Sequence, residues 1–334
     1  MPKILVTGGA GYVGSVCCAQ LLERGYDVVV VDDLSSGFVD ALPPGVSFFR
    51  VNIGDRRALA EILHAHEVET VFHFAAKALI PESVVNPGAF FDSNVASGIA
   101  MLETLRSAGV RKLVFSSSAA VYGSPSTVPI VETCPKNPVN SYGESKLVFE
   151  NILYWYAKAY NWSVVAFRYF NACGATPDLG ENHQPETHLI PLLLQAAAGE
   201  RPVFEIYGND YPTPDGTCVR DFVHVLDIAE AHVLALNLLD APRFEIYNVG
   251  TGTPYSVSEV CRSVESVVGR PLPLKVGPRR LGDPAVLCAS PKKIMAELHW
   301  EPHHSSLGEI IESAWAWTNI RAQLEPSEKS VLPE

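Results

Sequence analysis

Tyr142 and Lys146 stand four residues apart, and the run after them, Leu147 to Tyr156, has helical periodicity. At that spacing both side chains lie on one helix face, one turn apart. A free tyrosine has a pKa of about 10 and is a poor base at neutral pH. A cation one turn away favours the phenolate, which can then take or return a proton. A serine hydroxyl alongside could relay or orient that proton, and Ser116-Ser117-Ser118 upstream offers one in Ser118. The bare spacing recurs by chance on ordinary helix surfaces. Nothing local brings Ser118 to Tyr142, so the weight falls on the elements that would hold them.

Those elements form a regular series. Lys3-Ile4-Leu5-Val6-Thr7 is a short apolar strand that runs into Gly8-Gly9-Ala10-Gly11-Tyr12-Val13-Gly14 and then a helix pattern through Arg24. The glycines permit a tight turn, close approach of a pyrophosphate to the backbone, and phosphate contact at a helix N-terminus. A second strand, Asp27 to Val31, ends in Asp32-Asp33. A carboxylate at Asp32 suits the ribose hydroxyls of NAD and repels a 2′-phosphate, which argues against NADP. Strand-like runs at Val46–Val51, Thr70–Ala75, Lys112–Phe115 and Ser163–Arg168 alternate with helices at Arg56 to about His66, Asn94–Ser107 and the Tyr142 helix. This alternation predicts an α/β fold: a Rossmann-like, doubly wound parallel sheet covered on both faces. Ligands in such sheets bind beyond the C-terminal strand ends. Gly8–Gly14, Asp32, Phe74-Ala75, Ser118 and Asn171 all fall there, so they should converge.

Beyond about Ala172 the pattern loosens into helix-like runs separated by turn-rich pieces. The expected organisation is an NAD-binding domain over 1–171 and a smaller α/β substrate domain over 172–334. Some of its segments should return to the first, and a frayed tail should begin near 325. Arg220, Arg279 and Arg280 stand out there, because guanidinium groups suit bidentate phosphate contacts.

Composition narrows the class. The 334 residues are 47% hydrophobic with a formal net charge of -12, so a sizeable core is expected and nucleic acid is not an expected partner. No apolar stretch reaches a membrane span, and the N-terminus is unlike a signal peptide. The 7 cysteines are scattered, without a pair at metal-ligand spacing. They read as reduced thiols in the cytoplasm, and no metal is expected.

The glycine turn, Ser116-Ser117-Ser118-Ala119-Ala120-Val121-Tyr122-Gly123 and Tyr142-x-x-x-Lys146 together resemble the extended short-chain dehydrogenase/reductase superfamily. Arg168-Tyr169-Phe170-Asn171 and the long run from Gly208 to Val225 narrow the resemblance to its UDP-galactose (UDP-glucose) 4-epimerase family, over nearly the whole chain. The resemblance implies that Tyr142 is the acid/base, Lys146 its electrostatic partner and a nicotinamide-ribose contact, and Ser118 the aiding hydroxyl. It implies that tightly bound NAD meets Gly8, Gly11, Tyr12, Val13, Gly14, Asp32, Asp33, Leu34, Ser35, Ser36, Gly37, Asn52, Ile53, Phe74, Ala75, Ala76, Lys77, Ala78, Asn94, Ser116 and Phe170. The UDP-sugar would meet Ser118, Tyr142, Asn171, His188, Leu189, Glu205, Ile206, Tyr207, Arg220, Arg280, Asp283 and Leu287, with Arg220 and Arg280 clamping the diphosphate. The helices at 94–107 and 147–160 resemble the pair that forms a homodimer.

Departures from the family pattern fall at Asn52 (often aspartate), at Ala78 (a lysine in some members, here at Lys77), at His188 (frequently asparagine) and at Leu287. Some members carry a tyrosine at the last position, and the smaller leucine leaves room for N-acetylated hexosamines. The implied reaction is C4 epimerisation through a transient 4-keto sugar and bound NADH. A 4,6-dehydratase would carry an Asp-Glu pair where Ala119-Ala120 follow Ser118. Epimerases of UDP-glucuronate or UDP-xylose remain open. A non-catalytic NAD-sensing module is the rival from another class, and the retained Ser118, Tyr142 and Lys146 argue against it.

Overall fold

The structure is a computed structural model that describes residues 3–280 and 283–328. In chain order the elements are β1 Lys3–Thr7, α1 Tyr12–Glu23, β2 Asp27–Asp32, β3 Ser47–Arg50, α2 Arg56–Ala65, β4 Thr70–His73, α3 Ile80–Val85, α4 Pro87–Phe91, α5 Ser97–Ser107, β5 Lys112–Ser118, α6 Ser141–Tyr160 and β6 Ser163–Tyr169. They continue with β7 Asn171–Cys173, α7 Leu189–Ala198, β8 Phe204–Tyr207, β9 Val219–His224, α8 Val225–Ala235, β10 Arg243–Val249, β11 Pro254–Ser256, α9 Val257–Val268, β12 Leu274–Gly277, β13 Val286–Leu287, α10 Lys292–Leu298 and α11 Leu307–Glu328. Of the tail expected from about 325, residues 329–334 lie outside the described residues.

The main sheet has seven strands in the order β10-β6-β5-β4-β1-β2-β3, and every pairing in it is parallel. Strand order reverses between β1 and β4, the switch point where α/β sheets bind ligands. Apolar runs such as Val28–Val31 are buried because helices cover both faces. On one face Val16 and Leu21 of α1 meet Ile228 of α8 and Trp300, while on the other Leu59, Leu102, Phe149 and Leu153 form a second core. The last strand, β10, lies far along the chain yet pairs with β6 from Arg243↔Ser163 to Val249↔Tyr169. Its apolar residues are interrupted by Arg243, Glu245 and Asn248, and so do not read as one of the continuous apolar strands.

Two smaller sheets, β11-β9-β13 with β7 beside β9 and β12-β8, flank a third core. Ile190, Leu194, Val260, Val264, Ile310 and Ile311 from α7, α9 and α11 build that core, so the later segment has its own apolar centre. Between α4 and α5 the chain makes a π-helical turn, Asp92–Ala96, which turns Asn94 inward. Such turns often mark functional sites.

Candidate active site

A cavity of about 860 Å³ opens along the C-terminal ends of β1, β2, β4, β5 and β6 and continues between the main sheet and the later segment. This is at the upper end of the range for small-molecule sites.

The glycine turn forms one end. Gly8 has φ +73, and a Cβ there would lie 2.5 Å from the Ala75 backbone nitrogen, so only glycine fits. At Gly11 an added Cβ would meet only the Gly8 carbonyl, at 3.3 Å, and the start of α1 is open to a ligand. Asp32, at the end of β2, is 7% exposed. Its carboxylate accepts from the backbone amides of Ala10 (3.0 Å) and Leu34 (2.8 Å), which fix its orientation, while burial raises its pKa. Asn52 donates its amide to Asp33 at 2.7 Å, so the amide substitutes for a carboxylate without leaving two acids face to face.

The middle of the cavity carries the tyrosine. α6 begins at the N-cap Asn140, whose side chain accepts from Gly143 N at 2.8 Å. Ser118 ends β5 and accepts from Ala120 N at 3.1 Å, starting a tight turn over Ala119–Tyr122. α6 reaches this turn because position 143 is glycine: a Cβ there would sit 2.6 Å from the Ala120 carbonyl oxygen. Burial raises the Tyr142 phenol above its ordinary value, and the Ser118 hydroxyl, hydrogen-bonding to it, pulls the other way. Lys146 is 3% exposed, donates to the Ser116 carbonyl at 2.7 Å, and lies 5.9 Å from the Tyr142 ring centre. Its burial, only partly offset by Glu150, pushes its pKa down to about 7. Thus both members of the pair are driven toward their neutral forms, whereas spacing alone suggests a cation holding a phenolate.

The far end is charged. Arg220 donates to the carbonyls of Val219 (2.9 Å) and Pro284 (2.8 Å), and its other amine lies 3.9 Å from Asp283. Arg280 pairs with Asp283 at 3.0 Å and lies over the Tyr207 ring. Asp283 therefore sits between two guanidinium groups. Arg279 turns instead to Asp210 and the Tyr211 ring.

Of the residues singled out from the sequence, Ser118, Tyr142, Lys146, Gly8, Gly11, Tyr12, Val13, Gly14, Asp32, Asp33, Ser35, Ser36, Gly37, Asn52, Ile53, Phe74, Ala75, Ala76, Lys77, Ala78, Ser116 and Phe170 all line this one cavity. So do Asn171, His188, Leu189, Glu205, Ile206, Tyr207, Arg220, Arg280, Asp283 and Leu287. Leu34 and Asn94 do not form its wall. Asn94 is buried and exchanges hydrogen bonds with Lys77 N (2.8 Å) and Lys77 O (3.0 Å) while donating to Ser145 Oγ (3.0 Å), so it ties the loop after β4 to α6.

The sequence profile of the NAD dependent epimerase/dehydratase family matches residues 4–250. This chain belongs to the NAD dependent epimerase/dehydratase family. The chain is 47% identical to a UDP-glucose 4-epimerase of Corynebacterium glutamicum over 95% of its own length and 96% of that protein's. It also superposes on the UDP-glucose 4-epimerase of Brucella ovis in complex with NAD (TM-score 0.91, 42% identity, 94% of this chain and 98% of that one). A second structure is UDP-glucose-4-epimerase from Stenotrophomonas maltophila with bound NAD and formylated UDP-arabinopyranose (TM-score 0.94, 38% identity, 97% and 100%).

Part of the wall of this epimerase/dehydratase chain is not among the residues its motifs mark. Val84 and Val85 of α3, Cys218, and Glu181 and His183 also face the cavity. The histidines and glutamates of 181–188 were the available signal: two Glu-x-His steps in eight residues.

Proposed function

We propose that the protein interconverts UDP-galactose and UDP-glucose by epimerisation at C4. The observation that carries this reading is the shared cavity. Ser118, Tyr142 and Lys146 stand between a glycine turn with its buried carboxylate and a pair of arginines. The residues fit NAD: Gly11 leaves the start of α1 open, and the fixed Asp32 carboxylate offers acceptors to ribose hydroxyls but repels a phosphate in their place. NAD, when bound, supplies a reversible two-electron acceptor for the sugar C4.

The chain's own residues do the rest. Tyr142 takes the proton of the 4-hydroxyl and later returns it, with the Ser118 hydroxyl orienting the exchange. Burial alone keeps the phenol neutral, so proton removal needs positive charge beside it. Lys146, with a pKa near 7, is the cation the chain provides. Arg220 and Arg280 grip the diphosphate, so binding energy is held at the nucleotide while the sugar turns. In this reading the segment 1–171 serves NAD and 172–334 the UDP-sugar.

We also propose a homodimer through α5 and α6, supported by exposed Ile99 and Tyr154 and by Trp155, 61% exposed. Residence in the cytoplasm is supported by seven free, buried thiols. No described helix is long and apolar enough to cross a membrane.

The test is to incubate purified protein with UDP-galactose, add no NAD, and follow UDP-glucose by chromatography. Conversion is expected. Absence of conversion, even with NAD supplied, would reject the reading.

A further inference from the structure

One cluster of chemistry-bearing side chains enters this reading only through His188. Glu181, His183, Glu186 and His188 come together in the segment before α7, each offering one ligand atom, with all four atoms within 4.8 Å of one another. His188 Nδ1 lies 2.6 Å from Glu181 Oε1 and 2.8 Å from Glu186 Oε1, and His183 Nδ1 lies 2.9 Å from Glu181 Oε1.

The cluster is held from outside. Gly180 packs so tightly on Trp317 that a Cβ would meet the indole at 2.4 Å, and Trp317 Nε1 donates to the Glu181 carbonyl at 3.2 Å. The amides of Thr187 and His188 donate to Glu186 Oε1 at 2.6 and 2.7 Å. Both carboxylate side chains are only 7% exposed. Two buried carboxylates so close together call for positive charge. The groups that face them are the imidazoles of His188 and His183, at 2.6 to 2.9 Å.

We propose that Glu181, His183, Glu186 and His188 form a binding site for a divalent transition-metal ion of the zinc class, set in the wall of the cavity. Two imidazoles and two carboxylates are a donor set zinc accepts. Bonds of about 2.0–2.2 Å place tetrahedral ligands about 3.4 Å apart, a spacing that the contacts of 2.6 to 2.9 Å and the outer limit of 4.8 Å bracket. Coordination displaces the imidazole protons to solvent and leaves their nitrogens as lone-pair donors. Four protein ligands fill a tetrahedral shell, so the ion is a clasp and not a Lewis acid for the sugar. It fixes the loop that delivers His188 and Leu189 to the cavity. The proposal does not depend on the epimerase reading, because its readout is metal binding.

The experiment uses the full-length protein with its resident cofactor, stripped of metal by a chelator and then titrated with zinc chloride by calorimetry. Metal analysis after gel filtration gives the stoichiometry. One zinc per chain is expected, with a rise in melting temperature. His183→Ala and Glu186→Gln should each weaken binding by at least about 10-fold. Melting of metal-free His183→Ala beside metal-free wild type separates loss of the His183–Glu181 contact from loss of the metal. Cobalt in place of zinc should give visible bands of a tetrahedral nitrogen and oxygen set. Absence of binding by wild type, wild-type affinity in both variants, or cobalt–thiolate charge transfer (which would place the ion on a cysteine) would each overturn the proposal.

Discussion

Tyr142 is a residue whose neighbours decide its use. Its phenol is raised by burial and opposed by Ser118, and the nearby ammonium of Lys146 is itself near the point of losing its proton. Such a pair is a poor base when empty and is sensitive to any positive charge placed beside it. If Tyr142 carries the proton, Tyr142→Phe should reduce conversion of UDP-galactose by about 10²- to 10⁴-fold. It should leave the melting temperature and the cofactor content nearly unchanged, because the partner shown for the Tyr142 hydroxyl is the Ser118 hydroxyl, itself in the cavity wall. A variant that keeps more than a tenth of wild-type turnover would remove Tyr142 from the mechanism. Gly143 makes a complementary case. Its missing Cβ lets α6 touch the Ala120 carbonyl, so Gly143→Ala should impair turnover by moving Tyr142 away from Ser118, with the tyrosine itself intact. Turnover equal to wild type in Gly143→Ala would show that this close approach is dispensable.

Among the elements, β5, α6 and β6 are locked by one buried ion pair. Arg168 holds Glu150 through two contacts, 3.0 and 2.6 Å, and Ser117 donates to the same carboxylate at 2.5 Å. Glu150 lies one turn beyond Lys146, so the lock sets the rotation of α6 that brings Tyr142 and Lys146 into the cavity. Both side chains are almost wholly buried, at 1% and 3% exposure. Removing one charge strands the other, so Glu150→Gln should cost about 3–5 kcal/mol in denaturant unfolding. A loss below about 1 kcal/mol would mean that the pair is not desolvated as the structure has it. The sequence carried little of this. The first strands and helices were legible because each is an apolar run or a helix pattern bounded by glycine or a polar end. Their strand ends put the glycine turn, Asp32, Ser118 and Asn171 on one side in advance. Arg168 and Glu150 were not legible as a pair, since separation along the chain conceals a contact made by adjacent elements. β10 was hidden for a different reason: an edge strand needs only one well-covered face, and Arg243, Glu245 and Asn248 interrupt its apolar residues. The cluster at 181–188 was hidden because histidines and glutamates are common in solvated loops, while the close packing of Gly180 on Trp317 lies outside the local sequence.

For the molecule as a whole, three imidazoles link burial to pH. His73 ends β4 of the main sheet, His232 lies on α8 and His224 ends β9, and burial pushes them down to about 3, about 4 and about 4 respectively for His73, His232 and His224. His73 faces Lys146, which adds to its depression, while His224 faces His304, which lowers it, and Glu309, which raises it. His232 is the simplest of the three. Its Nδ1 meets the Ile228 carbonyl at 2.9 Å, and its Nε2 meets the Tyr169 hydroxyl at 2.7 Å. The carbonyl can only accept, so Nδ1 carries the proton and Nε2 accepts from Tyr169. The ring is therefore neutral with both nitrogens satisfied. Its folded pKa, about 4, is below the unfolded value of 6.5. Between these values the unfolded chain holds a proton that the fold does not, so stability contributed by this group is intact above pH 6.5 and is lost as pH falls toward 4. The slope per histidine is about 1.4 kcal/mol per pH unit. Other groups oppose it: His188 is raised, and buried Asp32, Asp221 and Asp227 are raised, so the total slope mixes signs. A difference between two proteins isolates the term. His232→Gln keeps a hydrogen-bonding end but cannot titrate, so its unfolding free energy should fall less steeply than that of wild type between pH 6.5 and 4. The two curves should converge by about 3 kcal/mol over that window and run parallel above it. Denaturant titrations at half-unit steps would read this directly, and parallel curves through the whole range would show that His232 is protonated within the fold.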